Sequence, residues 1–106
     1  MTANVNPKIK DDLIDQLFKA ILLLESIEEC YAFFEDVCTV NEIKSLAQRL
    51  EVAKMLQRKS KYTDITEQTG ASAATISRVN RALSYGTDGY TNILERLRED
   101  EKGTVK

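Results

Sequence analysis

Histidine and tryptophan are absent from the 106 residues, proline occurs once and cysteine twice. Without an imidazole there is no ready general base near neutral pH and no histidine-ligated zinc or haem site. Pro7 precedes every helical pattern, so nothing after it is barred from being helical. Cys30 and Cys38 fall eight residues apart on one expected helix. That places their Cα atoms about 12 Å apart, too far for an intrachain disulfide. Two buried thiols in a reducing cytoplasm are the expectation. The apolar run Ala20-Ile-Leu-Leu-Leu24 is far short of a membrane span, and no signal-peptide pattern is visible. A cytoplasmic protein without a membrane partner is therefore expected. No cluster of metal-ligating residues is present, and Asp11, Asp12 and Asp15 read as a solvated helix face. Neither catalytic nor metal-binding residues are expected, and the chain is not read as an enzyme.

What is present is an ordinary soluble composition, 42% apolar and 30% charged. The length suits one domain with a thin core, a size at which chains commonly oligomerise. The net charge of -2 hides a strong asymmetry. Residues 1–43 carry three bases against nine acids, whereas residues 44–82 carry eight bases against three acids. A local positive field of this kind is what phosphate binding requires.

The apolar spacing predicts an all-α fold of six helices. Leu13, Ile14, Leu17, Phe18, Ile21, Leu22 and Leu24 mark a first helix over Lys10 to Glu25. Ser26 with Glu29 forms a capping box for a second, carrying Ile27, Cys30, Tyr31, Phe34, Val37 and Cys38. Thr39 with Glu42 opens a third, with Ile43, Leu46, Ala47, Leu50, Ala53 and Leu56 in helical steps. After a polar connection, Thr63 is expected to cap a short fourth helix whose inward residue is Ile65. Gly70 ends it in a turn needing positive φ. Ser72 caps the fifth helix, with Ile76, Val79 and Leu83 inward, and Gly86 ends it. Thr87 is expected to cap the last, which holds Tyr90, Ile93, Leu94 and Leu97. Residues 1–10 are expected to be flexible, 11–98 to form a single domain and 99–106 a loose tail. The first two helices are too apolar for a small monomer, which predicts burial against a second copy, a homodimer.

Residues 62–84 read as a helix-turn-helix, with helix 73–84 shaped for the major groove. Its tip, Ser72-Ala73-Ala74-Thr75, is small enough for close backbone approach, and alanine can meet a thymine methyl. Ser77, Arg78, Asn80 and Arg81 follow as hydrogen-bonding or phosphate-binding groups. Lys61 and Thr63, at the start of the preceding helix, suit phosphate oxygens.

Over Thr39 to Leu83 the chain resembles the Trp repressor superfamily. The resemblance rests on Gly70-Ala-Ser-Ala-Ala-Thr-Ile-Ser-Arg78 and on Leu46-Ala-Gln-Arg49. It is closest to the YerC/YecD branch of low-GC Gram-positive bacteria, through Glu29-Cys-Tyr, Phe33-Phe34, Gln48-Arg-Leu-Glu-Val-Ala53 and Gly70-Ala-Ser. The resemblance implies an intertwined homodimer presenting two reading heads to double-stranded DNA. Arg49 and Arg78 fall on the two arginines that sandwich the indole of the corepressor, and Thr39 on a residue that helps hold it. Val79 stands where the corepressor pattern has glycine, and Ala82 where it has serine. No cofactor is therefore expected and L-tryptophan is not the expected corepressor; a different small-molecule effector at Thr39, Arg49 and Arg78 stays open.

These features point to a sequence-specific DNA-binding transcriptional regulator, a repressor. The alternative is a small-molecule-sensing or protein-interaction module on the same fold that binds DNA weakly, which the acidic N-terminal part favours.

Overall fold

The computed structural model describes residues 11–104, and the segment expected to be a flexible N-terminus lies outside them. The described residues form six helices and no strand: α1 (Asp12–Leu22), α2 (Ile27–Val37), α3 (Val40–Gln57), α4 (Tyr62–Thr69), α5 (Ala73–Tyr85) and α6 (Gly89–Thr104). They divide into an N-terminal unit ending at Ser45 and a C-terminal unit beginning at Leu46, with α3 crossing the boundary.

In the N-terminal unit the caps fix the helix starts. The Asp11 carboxylate accepts the Ile14 amide at 2.8 Å and begins α1, which ends at Leu22, short of the Glu25 expected from apolar spacing. Ser26 Oγ accepts the Glu29 amide at 3.0 Å, while the Glu29 carboxylate accepts from Glu25 at 2.9 Å. At α3 the box is complete: Thr39 Oγ1 accepts the Glu42 amide and Glu42 Oε1 accepts the Thr39 amide, at 3.1 and 2.8 Å. Each such pair satisfies amides that a helix start leaves without partners. Neither α1 nor α2 contains a buried residue. Cys30 is exposed rather than buried as expected, and Cys38 is half-buried just past the end of α2; both are free thiols.

The C-terminal unit holds the core: Val52, Ala53, Met55, Ile65, Ala71, Ile76, Val79 and Leu94, with Leu50, Leu56, Leu83 and Tyr90 packed against it. Burying an aliphatic side chain of this size contributes about 1.5–3 kcal/mol. The apolar stripe expected on α3 reaches the core at Leu50, Ala53 and Leu56 and is widened by two residues outside it. Val52 and Met55 are buried, while Leu46 is half exposed and Ala47 exposed.

Helix α3 ends in a two-bond turn, with the Ser60 amide donating to Met55 O and the Lys59 amide to Leu56 O, both at 3.0 Å. Lys59 holds the left-handed φ of 64° that this turn needs. Two expected caps differ. The residue before α4 is Lys61, so Thr63 sits inside the first turn instead of capping it. Asp88 O accepts the Asn92 amide, the first helical bond of α6, which puts the start one residue beyond Thr87. Helix α6 also runs on through Glu99 to Thr104 where a loose tail is expected. Its charges alternate in sign at helical spacing, as in Arg96 with Asp100 and Glu99 with Lys102, which supports an exposed helix without packing.

Candidate nucleic-acid interface

Helices α4 and α5 are joined by Gly70, Ala71 and Ser72, and side chains lock the turn between them. Gly70 has φ +75°, the left-handed conformation that closes α4. Thr69 Oγ1 donates to Ile65 O at 2.7 Å and accepts the Ala71 amide at 3.1 Å. From α3, Gln48 Nε2 donates to Thr69 O at 3.0 Å. Ala71, 1% exposed, seats the turn on the core. Sequence spacing points to Gly70 but not to Gln48, because its partner lies 21 residues away.

A Cβ on Gly70 would meet only Gln48 Nε2, at an ordinary 3.9 Å, so Gly70→Ala carries a backbone cost and no clash. The expected loss is about 1 kcal/mol, seen as a lower urea midpoint at unchanged slope.

Ser72 Oγ accepts the Thr75 amide at 3.1 Å and starts α5, as expected, and also donates to Thr75 Oγ1. Along α5, Ile76 and Val79 are 0% and 1% exposed and Leu83 packs beside them. The opposite side is open. Ala74, Arg78 and Arg81 follow in three- and four-residue steps, with Ala73, Ser77 and Asn80 in the adjoining row, all exposed. The structure thus brings six of the expected DNA-binding residues to one helix face. Thr75 stands apart, half-buried and engaged with Ser72.

Tyr85, 87% exposed, extends the Ala74–Arg78–Arg81 row by one more turn. Sequence reasoning misses it, since an aromatic at a helix end reads as core. Lys61 and Thr63 are exposed at the start of α4, where Lys61 provides no side-chain cap. The leading amides there can meet a phosphate oxygen. Tyr62, 45% exposed, lines a shallow cleft of 300 Å³ with Thr66, Ala73 and Ile76, between the two helices.

The residues expected at an effector site are distributed differently. Thr39 belongs to the N-terminal unit, where its hydroxyl and amide cap α3. Arg49 is half-buried and lines an open groove of 620 Å³ with Leu46, Leu50, Ala82, Tyr90 and Ile93. Arg78 is exposed and does not line that groove. Val79 is core.

Among the described residues no group of acids and cysteines could hold a metal ion, and no helix is long and apolar enough to cross a membrane.

Three comparisons place this arrangement. The chain is 56% identical over 94 residues to the uncharacterized protein YerC of Bacillus subtilis (strain 168), covering 89% of this chain and 90% of that protein. It superposes on the crystal structure of a TrpR like protein from Eubacterium eligens ATCC 27750 with a TM-score of 0.85 and 57% identity, over 95% of this chain and 99% of the other. A Staphylococcus aureus crystal structure gives 0.83 and 56%, over 86% and 91%. The profile of the Trp repressor protein family matches residues 12–98, so that helix-turn-helix, helix count and sequence agree: the chain belongs to the Trp repressor family, among its YerC-like members.

Proposed function

We propose that the protein is a cytoplasmic homodimer that binds double-stranded DNA sequence-specifically and represses transcription by occupying its operator. The observation that carries this reading is the two-sided character of α5. Ile76 and Val79 anchor it, while Ala73, Ala74, Ser77, Arg78, Asn80 and Arg81 stand in solvent on a locally basic segment. Small residues permit close approach to base edges, and the arginines supply guanine or phosphate contacts.

A second copy is supported by the N-terminal unit. Leu13, Leu22, Leu23, Ile27 and Tyr31 are each more than 70% exposed there, an apolar surface that a soluble monomer rarely leaves open. A two-fold dimer reads a roughly palindromic operator with half-sites about 34 Å apart. The buried Val79 speaks against L-tryptophan as the switch, since the side chain already belongs to the core.

Selection from random duplex DNA tests the proposal. An enriched palindromic motif is expected, and a pool that converges on no sequence would sink it. Affinity for the selected site should fall steeply with salt, because bound phosphates release counterions. Arg81→Ala is expected to weaken binding about tenfold and to reduce the logarithmic salt slope by about one if it meets a phosphate.

The groove beside Arg49 favours a second reading, a small-molecule sensor in which DNA binding is weak. Calorimetry with candidate metabolites separates the two, because the sensor would bind one of them while selection finds no motif.

A further inference from the structure

We propose that the cleft between the last turns of α3 and the middle of α6 binds a small carboxylate with a short apolar chain. The cleft has a volume of 280 Å³ and lies wholly within the C-terminal unit. That is at the bottom of the range for small-molecule sites, about 300–1,000 Å³, so the ligand is small.

Its walls are of two kinds. Leu94, 5% exposed, continues the core outward, and Leu97 beside it remains 38% exposed. Lys54 from α3, Arg58 just beyond its end and Arg98 from α6 also line it, against one lining carboxylate, that of Glu101. Arg58 has a partner outside the lining, Glu51, but that pair is long at 3.6 Å and both side chains are well exposed. An exposed pair of this length is weak and yields to a better-placed anion.

The local charge is thus positive around an apolar floor. An inorganic anion would leave the leucine wall wet, and a neutral hydrocarbon would leave the cations in water. One molecule satisfies both walls: a carboxylate head at Lys54, Arg58 and Arg98 with an apolar body on Leu94 and Leu97. This reading does not depend on DNA binding.

The test is an amide NMR titration of the full chain with octanoate. Saturable shifts are expected across 54–58 and 94–101, with a Kd on the order of 1 mM or tighter for a ligand this small. Octanol and sulfate, each lacking one half of the chemistry, should bind at least about tenfold more weakly. Arg98→Glu, at an exposed position, should weaken octanoate by about tenfold or more. Arg96→Gln, on a different face of α6, should leave it unchanged.

The proposal is overturned if the shifts do not saturate, if they map to the groove beside Arg49, or if octanol binds as well as octanoate. It is also overturned if Arg98→Glu and Leu97→Gln both retain wild-type affinity. Shifts at these amides that follow protein dilution instead of octanoate would assign the cleft to a second copy of the chain.

Discussion

Val79→Gly is expected to lose about 3 kcal/mol of stability, roughly two from the emptied core and one from a helix-interior glycine. The site cannot relax cheaply. Val79 is 1% exposed and shares its cluster with Ile65, Ile76 and Val52, each at 0%. Those residues come from α3, α4 and α5, so the cavity would open where three helices meet. Single domains are stable by only about 5–15 kcal/mol, so this is a large fraction. A fall in Tm of more than about 10 °C should follow. Urea denaturation measures it directly, and a neutral result would remove Val79 from the core. The same variant bears on the effector. If glycine opened an indole slot, L-tryptophan would raise its Tm and not that of the wild type.

The second large effect is expected at the N-terminal unit. Leu22→Asp combined with Ile27→Asp should convert a dimer to a monomer, halving the mass seen by light scattering. Both positions are exposed in the single chain, at 83% and 71%, and neither belongs to the core of the C-terminal unit. Within a dimer interface each buried aspartate would face a desolvation cost of several kcal/mol. Affinity for a palindromic operator should fall by about 100-fold or more, since two tethered reading heads become one. If the double variant keeps the wild-type mass, the apolar face of α1 and α2 is not the dimer surface.

These expectations rest on features that differ in how plainly they stand in the sequence. Capping is a local matter of three or four residues, which is why Ser26, Thr39 and Ser72 could be placed on helix starts from spacing alone. Thr63 and Thr87 have the same chemistry but do not cap. Helix α4 begins earlier, straight after the turn at Lys59, and α6 begins later, after Asp88 takes a φ of 67°. A cap residue offers a start; the adjoining turn selects it.

The core of α3 was legible only in part. Ile43, Leu46, Ala47, Leu50, Ala53 and Leu56 form one regular stripe, and Val52 with Met55 forms another alongside it. Periodicity shows that a face is apolar, but not which edge of a broad face meets α4 and α5. In the C-terminal unit Val52 and Met55 join Ala53 in the core, with Leu50 and Leu56 packed beside them. On α5 there was no such ambiguity. Ile76, Val79 and Leu83 are its inward row, and what faces out is polar or small.

The sequence by itself determined an all-helical chain, the position of the turn at Gly70, the division of α5 into an anchored and an open face, and the family. Each depends on residues within a few turns of one another, where backbone geometry and side-chain periodicity act without distant partners. Only the tertiary structure decided that Gln48 reaches Thr69 and that Arg78 stays out of the groove that Arg49 lines. Those facts join residues separated by a helix or more. They are set by how α3, α4, α5 and α6 close around one core, which no local spacing contains.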